Sequence, residues 1–318
     1  MLSRRALRIR VLQLLYSYEK TYIHSENYEN YSEKVFSNLE NSIDLIYTLY
    51  FEILTIPIHF LNLNLIDKEI SNELILKKSN SNYNLSKNKI IKFIRENKIL
   101  KKEFMNHDLD INSTNDDIKI WYKSLLKNDD IIKYQDQIES DFENDLKIST
   151  YIYLNFIFKN EEINKHFLEK DLFWDQDKLI LKSMIKKTLT TLNSIKLDKF
   201  AIADLSDDLT DDKSFVKNLF EGVLDGNKTF DSLISDNCQN WDIERISTID
   251  RILLKMGICE FLYFHNIPIK VTINEYIDIA KKYSTPKSKN FINGVLDILS
   301  KKMIDKIKKT GKGLIDNK

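Results

Sequence analysis

The scarcity of glycine and proline constrains this sequence more than any other feature. The 318 residues include only 6 Gly and 3 Pro, and the first glycine is Gly222. Long stretches without either residue favour helices joined by short connections, because these two residues most readily interrupt a helix. The sequence therefore predicts an all-α fold. It also excludes a glycine-rich phosphate-binding loop from the first two-thirds of the chain.

The charges are unevenly distributed, although the formal net charge is zero. Four arginines and no acidic residue occur in the first ten positions, and lysines are concentrated between residues 281 and 312. Five aspartates lie between these two regions, at residues 204–212. Basic ends beside an acidic interior segment predict a polarised surface that attracts a polyanion. The alternative is that these charge runs are only solvated faces.

Several classes of protein are disfavoured. Cys238 and Cys259 are two isolated thiols, which indicates a reducing, intracellular (cytoplasmic) location and no disulfide framework. No histidine is paired with another ligand at helical spacing, so we expect no metal, and no catalytic constellation or cofactor motif is found. The apolar run 45–65 contains Glu52 and Pro57, which favours a buried helical hairpin broken at Pro57 over a membrane span.

The first helix is predicted over about residues 3–18. Leu7, Val11 and Leu14 lie on one apolar stripe, whereas Tyr16 lies on a second stripe on the far side. A helix that is apolar on two sides is expected to be buried on two sides, with its arginine-rich end at a surface. Tyr16 is accordingly predicted to pack in the core.

A weak internal repeat is suggested by Trp174-Asp175 and Trp241-Asp242, which are 67 residues apart. In each copy the aspartate stands where an N-cap residue is expected, before an apolar helix. We therefore expect Asp242 to cap a helix that runs through Met256. The hypothesis is a duplicated helical unit, and the alternative is chance similarity between amphipathic helices.

The last third of the sequence has the most regular pattern. Gly257 and Gly294 lie inside predicted helices, where a missing side chain predicts close packing or a backbone contact. Residues 267–297 predict a proline turn, a helix, a basic loop and a second helix. Lys287, Ser288 and Lys289 precede the second helix, and cationic side chains at a helix N-terminus suit an anion such as phosphate.

This C-terminal third resembles the NusB family of transcription antitermination factors. The resemblance is carried by Val271-Thr272-Ile273-Asn274-Glu275 and by Phe291-Ile292-Asn293-Gly294-Val295-Leu296-Asp297. At the other end of the chain, Arg4-Arg5 with Arg8 resembles the basic first helix of that family. The resemblance implies a NusB-like helical bundle of two subdomains with a large helical insertion after the first helix. Residues 1–24 and 201–318 would form the core, and residues 25–200 the insertion. On the hypothesis of a duplicated helical unit, the insertion would contain a degenerate copy of the core unit.

The resemblance also implies a binding function. Family members pair with the ribosomal protein NusE, bind boxA-like single-stranded RNA, and act on transcription of ribosomal RNA genes through the RNA polymerase complex. The implied RNA-binding residues are Arg4, Arg5, Arg8, Lys287, Ser288 and Lys289. For Tyr16, the resemblance implies stacking on a base as the alternative to packing in the core. The implied NusE-contacting residues are Asp250 and Phe291. We expect no enzymatic activity, no cofactor and no membrane partner.

Two alternatives to this function are considered. The first is an RNA methyltransferase with a NusB-like module, which is disfavoured because the sequence lacks a glycine-rich strand-turn-helix. The second is a helical protein-interaction scaffold that has lost RNA binding, which is disfavoured by the basic first helix and by the Lys287–Lys289 loop. Glu275 is expected at a helix start, where the helix dipole stabilises it, and not as a catalytic residue.

Overall fold

The computed structural model describes residues 2–22, 29–73, 83–192, 200–237 and 246–303, and the regular structure in these ranges is helical throughout. This confirms the all-α prediction. The chain divides into two compact units: unit 1 comprises residues 42–205, and unit 2 comprises residues 2–41 and 206–318. Unit 1 overlaps residues 42–200 of the predicted insertion, whose boundaries at residues 25 and 200 stay a prediction.

Fifteen α-helices occur within the described ranges. They are α1 (Arg4–Tyr22), α2 (Glu29–Glu73), α3 (Lys89–Glu96), α4 (Lys98–Asn106), α5 (Asp116–Leu125), α6 (Asp129–Asp136), α7 (Phe142–Tyr151), α8 (Ile157–Lys159), α9 (Glu161–Lys170), α10 (Trp174–Thr191), α11 (Leu209–Asp225), α12 (Asn227–Asn237), α13 (Thr248–Tyr263), α14 (Ile269–Tyr283) and α15 (Ser288–Lys302). A 3₁₀ turn (Asn84–Lys87) precedes α3, and a π-helical segment (Ile152–Phe156) joins α7 to α8.

Helix α13 is the centre of unit 2. It packs against α1, α11, α12, α14 and α15, and every residue from Ile252 to Phe261 is buried. A helix buried on all sides reads as apolar all round, which fits Ile252-Leu253-Leu254 and Ile258-Cys259. This arrangement places α1, from the start of the chain, in one core with α11–α15.

The two helical glycines of α13 and α15 have different environments. A Cβ atom at Gly257 would lie 2.7 Å from Cδ2 of Leu296, so this glycine permits the close contact of α13 with α15. A Cβ atom at Gly294 would meet nothing within 4 Å. The prediction of tight packing at Gly294 is therefore wrong, because this residue lies on the exposed face of α15.

Helix α2 is a single helix where the sequence predicted a hairpin broken at Pro57, so that prediction is wrong. It runs without a break through Pro57, although proline lacks the amide donor and crowds the preceding turn. Two nearby carbonyls receive side-chain donors instead: Tyr153 Oη donates to Leu54 (2.9 Å) and Thr55 Oγ1 donates to Glu52 (2.8 Å). One of these contacts is tertiary and the other lies within the helix, and together they support a helix that continues through proline.

The same helix contains a segment, Phe36–Ser71, that is long and apolar enough to cross a membrane by length and composition alone. In its most apolar window, 72% of the residues are buried inside the fold. That burial is the property of a core helix, as the sequence predicted.

Asparagine side chains begin many of the helices in unit 1. Asn88, Asn97, Asn115, Asn128 and Asn160 are the N-cap residues of α3, α4, α5, α6 and α9, and each side chain accepts a hydrogen bond from a backbone amide of the first turn. These bonds satisfy donors that have no partner within the helix. The asparagine-rich composition of this unit therefore has a direct structural use.

The expected caps of the internal repeat are different. Asp175 is the second residue of α10, and Phe173 is the N-cap residue. Trp241 and Asp242 lie outside the described residues. Helix α13 begins at Thr248 with Ser247 as its N-cap residue, whose Oγ accepts from the amide of Asp250 (3.1 Å). The predicted capping of this helix by Asp242 is therefore wrong.

Candidate nucleic-acid interface

The arginines at the start of α1 lie within unit 2 and are held by acidic side chains. Arg4 pairs with Asp211 and, at 3.2 Å between Nη1 and Oδ1, with Asp212; its guanidinium also lies 4.5 Å above the Phe215 ring. Both Arg4 and Asp211 are accessible to solvent. Helix α11 thus supplies the partners of Arg4.

Arg5 is the more exposed arginine and is held by α14. Its Nε and Nη2 atoms donate to Glu275 at 2.9 and 2.8 Å, and Nη2 also donates to Asp278 at 2.9 Å. The hydrogen bond to Glu275 is the largest reason that the pKa of Arg5 lies above its usual value. Glu275 is the seventh residue of α14, so the prediction that it lies at a helix start, where the helix dipole stabilises it, is wrong.

Arg8 is buried, with only 2% of its side chain exposed. Its Nε and Nη2 atoms donate to Glu260 of α13 at 2.6 and 3.0 Å. Burial alone would lower the pKa of Arg8, but the hydrogen bonds and charge of Glu260 raise it above its usual value. The guanidinium is almost wholly buried and already holds the Glu260 carboxylate, so Arg8 does not lie on the exposed surface that was expected for RNA contact.

The carboxylates around these arginines change the electrostatic picture. The guanidiniums of Arg4, Arg5 and Arg8 contact five acidic side chains: Asp211, Asp212, Glu260, Glu275 and Asp278. The acidic stretch 204–212 supplies two of them. The predicted polarised surface is therefore not found at this end of α1, because the acidic segment lies against the basic one and neutralises it.

A cleft of about 580 Å³ opens beside Arg4 and Arg5. The loop before α14 forms its other wall, with Asn266, Ile267 and Pro268 among its lining residues. The cleft combines cationic edges with an apolar wall. This combination suits a nucleotide, whose phosphate is anionic and whose base has apolar faces.

Tyr16 also differs from its prediction. Its side chain is 39% exposed, and the ammonium of Lys20 lies 5.5 Å from the ring centroid. The prediction that Tyr16 packs in the core is therefore wrong. The ring is accessible, as stacking on a base would require.

The basic segment Lys287–Lys289, called the lysine loop below, forms the start of α15: Lys287 is the N-cap residue, Ser288 is the first helical residue, and both lysines are exposed. The prediction that Ser288 and Lys289 precede the helix is therefore wrong. Within the described part of the chain, neither ammonium forms an ion pair. Ser288 lies between them but is buried, and its Oγ donates to Asp250 Oδ2 at 2.7 Å. Thr285 Oγ1 and Ser284 Oγ lie 2.8 and 3.0 Å from the same hydroxyl. The loop is therefore anchored by its serine and exposes its two cations.

The two expected partner-contact residues are both largely buried. Asp250 lies in the first turn of α13, and its Oδ1 atom is buried without a hydrogen-bond partner among the described residues. Phe291 lies in the first turn of α15 and is also buried. The link from Ser288 to Asp250 joins the starts of these two helices, so both residues belong to one local structure.

The arginine end of α1 and the Lys287–Lys289 loop are connected through α14. Arg5 contacts Asp278, which lies five residues before α14 ends at Tyr283, about 8 Å along the helix axis. The lysine loop follows that end. No direct contact joins Arg4, Arg5 or Arg8 to Lys287 or Lys289 in the described part of the chain.

The sequence interpretation missed the carboxylates that hold the arginines. Glu260 accepts from Arg8 and also from Thr272 Oγ1 (3.0 Å) and Tyr276 Oη (2.6 Å), although it stands in an apolar run. A lone acid among apolar residues is a signal of a buried partner, since an unpaired buried charge is costly. Among the described residues, no group of His, Cys, Asp and Glu is suited to holding a metal ion.

These features define an all-α protein whose second unit is a helical bundle built around α13. The profile of the NusB family matches residues 177–301. The chain is 37% identical over 126 residues to "Transcription antitermination protein NusB" of Chloroherpeton thalassium. This matched region covers 38% of this chain and 60% of that protein. It is 42% identical over 105 residues to the protein of the same name from Listeria monocytogenes, which covers 33% of this chain and 80% of that protein.

Among solved structures, T. maritima NusB is 31% identical and covers 38% of this chain and 85% of that chain, with a TM-score of 0.29. The identity to the L. monocytogenes protein and its 80% coverage show that the chain belongs to the NusB family. It spans about 60% of the length of the C. thalassium protein. The family match begins at residue 177, within α10, whereas the predicted core began at residue 201.

Proposed function

We propose that this chain is a transcription antitermination factor that binds boxA-like single-stranded RNA together with ribosomal protein NusE, and so promotes transcription of ribosomal RNA genes. The contact with RNA polymerase would be indirect. This function is binding and involves no cofactor, no metal and no membrane, and we place it in the cytoplasm. Membership of the NusB family supports the proposal.

The observation that carries the proposal is the anchored lysine loop at the start of α15. Lys287 and Lys289 are exposed beside a helix N-terminus, while Ser288 fixes the loop through Asp250. Cations at a fixed position near a helix N-terminus favour a phosphate. In the proposed complex, Arg4 and Arg5 contact the RNA directly, and Arg8 positions α1 through Glu260.

A salt titration tests the RNA-binding step. Binding of a boxA-like RNA is measured by fluorescence anisotropy at several salt concentrations, with and without NusE. The double variant K287Q/K289Q is compared with K301Q/K302Q, which removes two lysines from the far end of the same helix. On a single strand each neutralised phosphate contributes a slope of about 0.7 to the salt dependence, so K287Q/K289Q should reduce the slope by about 1.4.

The control variant K301Q/K302Q should keep the slope of the unmodified protein. Equal loss in both variants would show that only the total charge matters and would argue against a site at the loop.

A second experiment tests the partner contact. F291A should weaken NusE binding in isothermal titration calorimetry while its circular dichroism spectrum stays helical. Unchanged NusE affinity would remove Phe291 from the proposed contact.

One observation favours a second candidate, the helical protein-interaction scaffold without RNA binding. The arginines of α1 are already paired with carboxylates, which leaves less positive charge for a polyanion. The same titration separates the two candidates. Absence of RNA binding both with and without NusE would favour the scaffold.

A further inference from the structure

Arg4 is held by two carboxylates that differ greatly in exposure. The Asp211 side chain is 64% exposed, whereas that of Asp212 is 9% exposed. Asp212 also accepts a hydrogen bond from Ser206 Oγ. Within the described residues, the side-chain oxygens of Asp211 accept a hydrogen bond from Arg4 and from no other residue. The Asp212 carboxylate is therefore buried in the fold, whereas the Asp211 carboxylate contacts Arg4 from the solvent side.

We propose that Asp211 occupies the place on Arg4 that a backbone phosphate of single-stranded RNA takes in the complex, so that RNA binds by exchange with this carboxylate. The inference rests on the proposed RNA-binding function. A carboxylate and a phosphate present similar oxygen acceptors to a guanidinium, and both form charge-assisted hydrogen bonds with it. The exchange breaks and makes hydrogen bonds only.

The surroundings allow Asp211 to leave without disturbing Arg4. The guanidinium stays above the Phe215 ring and keeps its ion pair with Asp212. The released carboxylate lies in the first turn of α11, where the positive end of the helix dipole stabilises a negative charge. The departure of Asp211 therefore exposes one face of a guanidinium that is already in position.

Arg5 is a poorer candidate for the same exchange. Glu275 holds it with two hydrogen bonds and Asp278 adds a third. Glu275 is also the less exposed acid, with 20% of its side chain accessible, and its Oε2 lies 3.6 Å from Arg8 Nη1. The exchange is accordingly assigned to Arg4 and Asp211.

The test is a double-mutant cycle measured with boxA-like RNA by fluorescence anisotropy. The variants are D211N, R4Q and R4Q/D211N, and D207N is the matched control. Asp207 is an exposed aspartate of the same acidic segment without a recorded ion pair in the described chain, so D207N removes the same charge without freeing Arg4. Thermal melts confirm that each variant is folded.

Exchange predicts that D211N binds RNA about two- to fivefold more tightly than the unmodified protein, which is the range of an exposed ion pair. The gain should exceed that of D207N and should disappear in the R4Q background. An unchanged or weaker affinity of D211N, a gain equal to that of D207N, or a gain that persists in R4Q/D211N would overturn the inference. Absence of RNA binding by the unmodified protein would overturn the proposed function as well, and the two failures are thereby distinguished.

Discussion

Arg8 of α1 and Glu260 of α13 form a buried bidentate ion pair, with Nε–Oε1 and Nη2–Oε2 distances of 2.6 and 3.0 Å. Thr272 and Tyr276 of α14 donate to the same carboxylate. Three helices therefore share one buried charge. Burial and the neighbouring Glu260 raise the pKa of Tyr276 well above its usual value, which keeps its hydroxyl a donor.

Removal of one member of this pair should be strongly destabilising. E260A leaves the Arg8 guanidinium buried without its carboxylate, and breaking a buried pair in this way costs about 3–5 kcal/mol. R8M/E260M, which replaces both members with apolar side chains, should recover a large part of that loss. Urea denaturation followed by circular dichroism measures both. Equal stability of E260A and the unmodified protein would contradict a structural role for the pair.

The two helical glycines provide a matched test of packing. G257A should destabilise unit 2 by about 1–3 kcal/mol, because the added methyl meets Leu296, which is fully buried and has little room to move. G294A should instead stabilise the protein by up to about 1 kcal/mol, because its methyl enters open space and alanine favours a helix. Thermal melts of the two variants measure the effects. Stabilisation by both substitutions would show that helix propensity alone decides, and destabilisation by both would contradict the open space at Gly294.

The hydrogen bond from Ser288 to Asp250 is predicted to stabilise the fold. S288A removes the hydroxyl that donates to Asp250, and leaving a buried acceptor without its donor costs about 1–3 kcal/mol. S300A is the control on the same helix, because Ser300 is equally buried but donates only to the nearby backbone carbonyl of Asp297. Thermal denaturation should show a clear loss for S288A and little change for S300A. A similar change in thermal stability for both variants would show that the hydrogen bond from Ser288 to Asp250 does not cause the loss.

Asp231 should contribute to the pH dependence of stability. Arg251 donates to it at 2.7 and 2.6 Å, and Lys255 Nζ lies 3.1 Å away. Burial alone would raise the pKa of Asp231, but these partners lower it below its usual value of 3.8. A depressed folded-state pKa stabilises the fold above the unfolded-state pKa, and this contribution is lost as the pH falls through the folded value.

The unmodified protein should therefore lose stability relative to D231N as the pH falls below about 4. Urea denaturation at a series of pH values between neutral and acidic measures the difference. A constant difference in the free energy of unfolding across that range would contradict the prediction.

The helical fold was predictable because its causes are local. Glycine scarcity and amphipathic spacing are properties of short windows, and the helices around Lys287–Lys289 were predicted on that basis. Pro57 misled the prediction, because the donors that support α2 there come from Thr55 nearby and from Tyr153, 99 residues away from the carbonyl that it contacts. Asparagine is a favoured N-cap residue, but it is so abundant in this unit that the sequence does not show which asparagines are caps.

The site was less predictable, because its important relationships span the chain. The sequence indicated that Arg4, Arg5 and Arg8 lie together, but not that their partners lie 207 to 273 residues away. Helical periodicity placed Tyr16 on an apolar stripe, yet packing left it exposed. Spacing shows which face of a helix a residue occupies, and the neighbours that cover that face come from other segments.

The Arg8–Glu260 pair also bears on how the chain is synthesised. The two residues are 252 positions apart, and a ribosome that adds about 5–20 residues per second needs roughly 12 to 50 seconds to pass from one to the other. Helix α1 is therefore synthesised well before α13, and the guanidinium of Arg8 gains its native carboxylate only after α13 has been made.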